Sequence, residues 1–184
     1  MESVYKTIVL RNGETAIFRS PQGEHIEEIE RYANQLSQED TYVVMAGEKV
    51  TRDEEKRYLE QVLLEIENGN RIHVFVFVNQ KLVANADVHR ITRFRTRALH
   101  VGELAISVAK DYRNLGIGRQ LIDFLINEAK KMGYRLLILD VFAENERAIA
   151  LYQSVGFQLT GERPGGILYK GKYIGQVLMH LSLV

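Results

Sequence analysis

The chain has 184 residues, 46% of them hydrophobic and 26% charged, and its 24 basic and 24 acidic side chains cancel to a formal net charge of zero. That length suits one domain with a single substantial core, and that composition excludes general disorder and a partner held by bulk charge alone. With no cysteine there is no disulfide framework, no thiolate metal site and no thiol nucleophile. Taken in chain order, Thr7 to Leu10 and Thr15 to Phe18 flank Arg11-Asn-Gly-Glu14, and an Asn-Gly between β-prone runs predicts a tight hairpin. Ile26, Ile29, Ala33 and Leu36 fall at helical spacing. Thr51-Arg-Asp-Glu54 is a capping box that opens a second helix, with Tyr58, Val62 and Ile66 on one face and Gly69 as its stop.

The period then changes to two. Arg71 to Val78 and Leu82 to Ile91 read as strands joined at Asn79-Gln-Lys81, and Leu99 to Val108 reads as a third. The basic turn between the last two, Arg90 to Arg97, holds four arginines and one phenylalanine. It is short and isolated, so it reads as a solvated hairpin tip rather than a nucleic-acid patch. A helix follows from Gly116 to Met132, with Leu121, Phe124, Leu125, Ile126 and Ala129 apolar, and Gly133 ends it. Arg135 to Val141 is a continuous apolar run, the pattern of a buried strand. Glu146 to Val155 makes a short helix after Asn145, a cap residue, and Phe157 to Thr160 and Tyr173 to Leu183 are closing strands. The order predicts an α/β protein of α+β type with a mixed sheet, and no linker or repeat divides it. Apolar stretches such as Val74 to Val78 are too short to cross a bilayer, and Met1 to Lys6 lacks the layout of a signal peptide. A cytoplasmic location without a membrane partner is the expectation.

Chemistry concentrates at Val108-Ala-Lys-Asp-Tyr-Arg113-Asn-Leu-Gly116-Ile-Gly118-Arg119. A strand runs into a loop with two glycines, and a helix starts there. Glycines let backbone N–H groups approach a phosphate, and a helix N-terminus adds unpaired donors and partial positive charge. Arg113 and Arg119 flank those amides and can pair with the same anion. A dinucleotide fold would want a third glycine at position 121, which is Leu121, and a first βαβ strand rather than a preceding meander. Asp140, ending a strand about 20 residues on, keeps that alternative open. A nucleotide-triphosphate loop would need Gly-Lys-Ser/Thr, whereas Gly118 is followed by Arg-Gln.

The segment Arg113-Asn-Leu-Gly-Ile-Gly118 resembles the Arg/Gln-x-x-Gly-x-Gly/Ala pyrophosphate loop of the GNAT superfamily of acyl-CoA-dependent N-acyltransferases. Downstream, Asn145-Glu-Arg-Ala148-Ile-Ala-Leu-Tyr152-Gln-Ser-Val-Gly-Phe157 is similar to that family's Asn-x-x-Ala-x-x-Leu-Tyr-x-x-x-Gly-Phe segment. The resemblance is strong from Leu99 to Phe157 and weak before Arg71. It implies a single N-acetyltransferase domain over residues 1–184, with a central, mostly antiparallel sheet of about seven strands and about four helices. It also implies acetyl-CoA as co-substrate. The backbone of Ile106, Ser107 and Val108 would pair with the pantetheine arm, and the amides of Arg113, Asn114, Leu115, Gly116, Ile117, Gly118 and Arg119 would hold the pyrophosphate. Asn145 would hydrogen-bond the cofactor near the pantetheine or its thioester end, and Ala148 would be a further cofactor-binding residue. Tyr152 would act as general acid at the sulfur, against the simpler reading of a core aromatic.

Acyl transfer to an amine needs a base to take the amine proton. Glu103 is the candidate, because alternation puts Glu103, Ala105 and Ser107 on one side of the strand entering the glycine loop. The competing reading is an edge-strand salt bridge. Asp140 and Glu144 are reserve bases, and His100 reads as structural. The N–H of Val108 could stabilise the developing oxyanion. No metal is expected, since the five histidines show no ligand spacing. Direct transfer is expected, there being no cysteine to carry an acyl group. A non-catalytic CoA-binding sensor on the same fold is the alternative. A strand edge near the C-terminus could pair subunits into a homodimer, as in members of the family.

The acceptor is approached through charge. Residues 1–69 carry 15 acidic and 8 basic side chains, a net of −7, and residues 70–184 balance it at +7. Glu24, Glu27, Glu28, Glu30, Asp53, Glu54 and Glu55 lie on the first two helices, which in the family line the acceptor site. The expectation is a cationic amine: a polyamine, an amino acid amine or a basic protein N-terminus. The alternative is that these are merely solvated helix faces.

Overall fold

A computed structural model describes residues 4–39, 41–43, 45–91 and 96–184. Among the described residues, eight strands and four α-helices follow in the order β1 (Val4–Val9), β2 (Thr15–Arg19), α1 (Ile26–Gln38), α2 (Arg52–Glu67), β3 (Arg71–Val78), β4 (Lys81–Arg90), β5 (Val101–Val108), α3 (Ile117–Lys131), β6 (Leu136–Phe142), α4 (Glu146–Ser154), β7 (Gln158–Tyr169) and β8 (Lys172–Ser182). The strands form one mixed sheet in the order β1-β2-β3-β4-β5-β6-β8-β7, so the expected α/β class holds with eight strands rather than about seven. β5 and β6 run parallel, whereas β1–β2, β2–β3, β6–β8 and β7–β8 are antiparallel. Residues 92–95 of the basic turn Arg90 to Arg97 lie outside the described residues.

The chain divides into two compact units, Met1–Asp87 with Ile106–Leu121, and Val88–Ala105 with Ile122–Val184. In the first, the Arg11–Glu14 turn closes the β1–β2 hairpin as predicted. The Leu10 N–H donates to the Glu14 carbonyl at 2.8 Å, and Gly13 takes a left-handed φ of 86°. Ile29, Tyr32 and Leu36 of α1 and Leu59 of α2 pack with Phe75, Phe77, Leu82 and Ala109 in a common core cluster. The capping box opens α2 as read: the Thr51 N–H donates to the Glu54 carboxylate at 2.8 Å, and the Glu54 N–H to the Thr51 hydroxyl at 3.4 Å.

The buried face of α2 is displaced from the predicted one. Leu59 and Val62 are buried, while Tyr58 is 42% exposed. Helical spacing finds an apolar stripe but cannot choose between adjacent stripes when Tyr58 and Leu59 sit side by side. α1 likewise buries Tyr32, which the apolar count had passed over. β3 is buried from Ile72 to Val78, so both of its faces are covered.

In the second unit, the β5–β6 ladder runs from Val101↔Leu136 to Glu103↔Ile138, and Leu104 and Ala105 continue β5 beyond it, its last residues Ile106 to Val108 belonging to the first unit. Gly102 packs where no side chain fits: a Cβ there would lie 2.6 Å from Val88 Cγ1 and 3.1 Å from Leu137 and Tyr134. β6 alternates rather than being uniformly buried, with Leu137 and Leu139 inside and Asp140 exposed. β7 is far longer than predicted. It runs on through Pro164, Gly165 and Gly166 to Tyr169, with the β7–β8 register shifting between Leu159 and Gly161 and again between Arg163 and Ile167. Bulged strands tolerate the proline and glycines that sequence reading takes as a stop.

Candidate functional site

The glycine loop belongs to the first unit. After β5 a short 3-10 turn covers Lys110–Tyr112, then Asn114 (φ 67°) and Gly116 (φ 98°) take left-handed conformations before α3 starts at Ile117. Two loop carbonyls turn toward the β1–β2 hairpin. The Arg11 guanidinium donates to the Asn114 carbonyl at 3.3 Å, and the Arg11 N–H donates to the Leu115 carbonyl at 3.4 Å. A planar trans peptide sets each N–H opposite the carbonyl it is bonded to. The amides of Leu115 and Gly116 therefore point away from the hairpin. Successive outward N–H groups ahead of a helix N-terminus form a concavity suited to an anion. A Cβ built on Gly116 would meet nothing within 4 Å, so the left-handed φ requires glycine there and the space beside it is open. Gly118 and Arg119 lie in the first turn of α3, and Arg119 is exposed.

The Arg113 side chain is engaged from within the fold. Its Nε donates to the Val108 carbonyl at 2.9 Å, and its Nη2 pairs with the Glu39 carboxylate. Glu39, the C-cap of α1, is 9% exposed and accepts through its other oxygen from the Lys110 N–H at 2.9 Å and from Gln35 Nε2 at 3.1 Å. Ile106, Ser107 and Val108 end β5 half-buried. The Ser107 hydroxyl meets the Tyr32 hydroxyl at 2.9 Å, and burial pushes the Tyr32 phenol well above its usual range. Sequence reading missed Glu39, Tyr32 and Arg11 as neighbours of this loop. Contacts spanning roughly 70 to 100 residues leave no local spacing to detect.

The other expected residues lie in the second unit. Glu103 on β5 is 45% exposed, with its carboxylate 3.8 Å from His89 Nε2 on β4. Asn145 caps α4: its Oδ1 accepts from the Ala148 N–H at 3.2 Å, which leaves its Nδ2 as the donor for any ligand. Tyr152 is 7% exposed, its ring centroid 5.7 Å from that of Phe157. Burial pushes its phenol well above the usual value, so it holds its proton throughout the neutral range. Of the reserve bases, Asp140 is paired with Arg163 at 3.1 Å and Glu144 is exposed on the turn before Asn145. The carbonyl of His100, whose side chain is exposed, accepts from the Arg135 N–H at 2.8 Å. Among the described residues no group of three or more potential metal ligands occurs, and no helix is long and apolar enough to cross a membrane.

A family model described as the acetyltransferase (GNAT) family matches residues 26–157. The chain is similar to the L-amino acid N-acyltransferase MnaT of Escherichia coli, 30% identical over 84 residues that cover 46% of this chain and 49% of that protein. It is also similar to the ribosomal protein bS18-alanine N-acetyltransferase of Escherichia coli, 50% identical over 52 residues, 28% of this chain and 35% of that one. The chain thus spans about half or less of the length of these curated relatives. Among solved structures, an acetyltransferase of the GNAT family from Streptococcus pneumoniae matches with a TM-score of 0.81 at 27% identity, over 91% of this chain and 99% of that one. A GNAT superfamily phosphinothricin acetyltransferase from Sinorhizobium meliloti, solved in complex with acetyl-CoA, shares the fold with a TM-score of 0.78 at 17% identity, over 91% and 88% of the two chains. The family match takes in both the outward amides of the glycine loop and the Asn145-capped helix carrying Tyr152, and the chain belongs to the GNAT acetyltransferase family.

Proposed function

We propose that the chain acts as one N-acetyltransferase domain that transfers the acetyl group of acetyl-CoA directly to a primary amine. The observation that carries this reading is the loop in which the Leu115 and Gly116 amides turn away from Arg11 ahead of α3. Those amides, with the first turn of α3 and Arg119, hold the pyrophosphate. The stretch of β5 from Ile106 to Val108, beyond the last pair of its ladder with β6, offers backbone groups to the pantetheine arm in the manner of an added strand. Asn145 contributes its Nδ2 donor near the thioester.

An amine with a pKa of about 10.4 is almost wholly protonated at pH 7, and freeing its lone pair costs roughly 4–5 kcal/mol. Glu103 supports that step, being a carboxylate open to solvent on the side of β5 shared with Ala105 and Ser107. It takes the amine proton directly or through one water. The N–H of Val108 donates to the developing oxyanion. Tyr152 donates to the departing sulfur. A desolvated phenol is a weak acid but a strong donor toward a thiolate in the same dry setting, so its raised value suits stabilisation of charge as it develops.

The acceptor is a cationic amine held by α1 and α2. Of the acidic residues there, Glu27 and Glu30 already pair with Arg52, at 3.2 and 3.0 Å, and Glu54 serves the capping box. Of the acidic residues in their first turns, that leaves Glu28, Asp53 and Glu55, with Glu24 in the 3-10 turn just before α1. The Glu55 carboxyl is pushed up by burial and by the charges of Glu54 and Glu30, a negative field that a cation would relieve. The curated relatives act on an amino acid and on a ribosomal protein alanine, and both kinds of amine belong in the substrate panel. A cytoplasmic location and a homodimer paired through the β7 edge complete the proposal.

The test is thiol release from acetyl-CoA by the purified chain across polyamines, amino acids and peptides with free N-termini. Turnover with at least one cationic amine is expected. Reversing Glu28 and Asp53 to lysine should raise KM for that amine and leave KM for acetyl-CoA in place. CoA binding with no turnover over the whole panel would mark a CoA-binding module instead of an enzyme.

A further inference from the structure

We propose that Glu39 is a positioning residue for the glycine loop, with Arg113 as its strut instead of a phosphate ligand. The inference rests on the acetyl-CoA reading above and goes beyond it, because it reassigns the charged side chain of the loop's own motif. Three observations carry it. Glu39 is a carboxylate only 9% exposed, a position that is costly for a charge unless each oxygen is satisfied. One of its oxygens accepts from the Lys110 N–H and from Gln35, and the other pairs with Arg113. Arg113 in turn donates from Nε to the Val108 carbonyl.

The result is a bracket that closes the loop from beneath. The carboxylate holds the start of the loop at Lys110, while the guanidinium holds the strand end at Val108. From Lys110 the chain turns through the 3-10 segment to Arg113, and Asn114 and Gly116 follow directly, their φ values of 67° and 98° aiming the outward amides. A guanidinium used in this way has its charge balanced by Glu39 and two of its three nitrogens already engaged, so its part in holding a phosphate is secondary to its part in the bracket. The anion then depends on the amides and the helix end, and the bracket keeps those amides in the conformation that binds.

Calorimetric titration of CoA into the wild-type protein, Glu39→Ala, Glu39→Gln, Arg113→Met and the double variant Glu39→Ala/Arg113→Met, at two salt concentrations, tests this. Glu39→Ala and Arg113→Met should each weaken CoA by roughly tenfold, the scale at which groups that orient ligand-holding atoms act. The double variant should be no weaker than the worse single one, because both remove the same bracket. The salt dependence of binding should be the same for Arg113→Met as for wild type, since no charge contact to phosphate is lost. Glu39→Gln keeps an oxygen for the Lys110 N–H, so it should fold as wild type in thermal melts and lose part of the affinity. In steady state the variants should raise KM for acetyl-CoA more than they lower kcat. CoA binding by Glu39→Ala equal to or tighter than wild type, or a flattened salt dependence for Arg113→Met, would overturn the proposal and restore Arg113 as a phosphate ligand. A wild-type chain that binds no CoA would overturn the acetyl-CoA reading itself.

Discussion

Two junctions in this chain have the same outline, a strand running through a turn into a helix, yet they end differently. After β6, the helix α4 is closed by its own sequence: the Asn145 side chain accepts from the Ala148 N–H and satisfies a donor that would otherwise need a partner. After β5, the residue before α3 is Gly116, which has no side chain to offer, and the preceding amides are turned outward by Arg11. The side chains that could have reached in are committed elsewhere, Arg113 to Val108 and Glu39. One junction is self-sufficient and stabilises the fold. The other is left with donors in hand and is held open by residues distant in sequence, which is what a site for an anion requires.

Substitutions can break this contrast, and the largest effect is expected on the closed side, where α4 carries Tyr152. Tyr152→Phe removes only the hydroxyl and should lower kcat about a hundredfold or more, with KM for acetyl-CoA within a few fold. A steady-state comparison at saturating acetyl-CoA reads it, and an unchanged kcat would return Tyr152 to the core. Gly116→Val should come next. Forcing a β-branched residue to φ 98° costs on the order of 1–2 kcal/mol, and because the space is open the penalty comes from the backbone. CoA affinity should suffer more than the melting temperature does, measured by titration beside a thermal melt.

Asn145 sharpens the comparison. Asn145→Ala should cost about 1 kcal/mol of stability through the lost cap. Asn145→Asp should keep the cap and the stability while losing the Nδ2 donor, so only acetyl-CoA turnover should fall. An Asn145→Asp variant as unstable as Asn145→Ala would count against the side-chain oxygen as the cap. The smallest effect at neutral pH comes from the two buried phenols. Tyr32 and Tyr152 are both raised from 10.0 by burial, so the folded chain keeps protons that the unfolded chain starts to release near pH 10. Their contribution is complete below that pH and declines above it, by up to ~1.4 kcal/mol per pH unit for each group. Denaturant melts from pH 9 to 11 should show the decline, and Tyr152→Phe should reduce its slope.

Much of this was legible in the residues. The Asn-Gly turn, the Thr51–Glu54 capping box, the Asn145 cap, the helix stop at Gly133 and the glycine loop all rest on neighbours within a few positions, and each stands where it was expected. The misreadings share a cause. Tyr58 faces solvent where Leu59 faces the core, and β7 runs through Pro164 and two glycines because β8 pairs with it on both sides of the irregularity. Such choices belong to the partner surface and not to the segment. The site divides along the same line: Arg113 reads as an anion ligand from its place beside the glycines, while Glu39, the carboxylate it pairs with, lies 74 residues away in sequence.

The amino-acid sequence by itself determined the element types, the caps and turns, the position of the glycine loop and the family resemblance. All of these depend on backbone dihedrals and on hydrogen bonds between near neighbours. The tertiary structure alone decided which face of α2 is buried, that Glu103 stands open beside His89 and that the Arg113 charge is balanced by Glu39. Whether a charged side chain is free for a ligand depends on what packs against it, and burial together with long-range pairing exists only once distant segments meet.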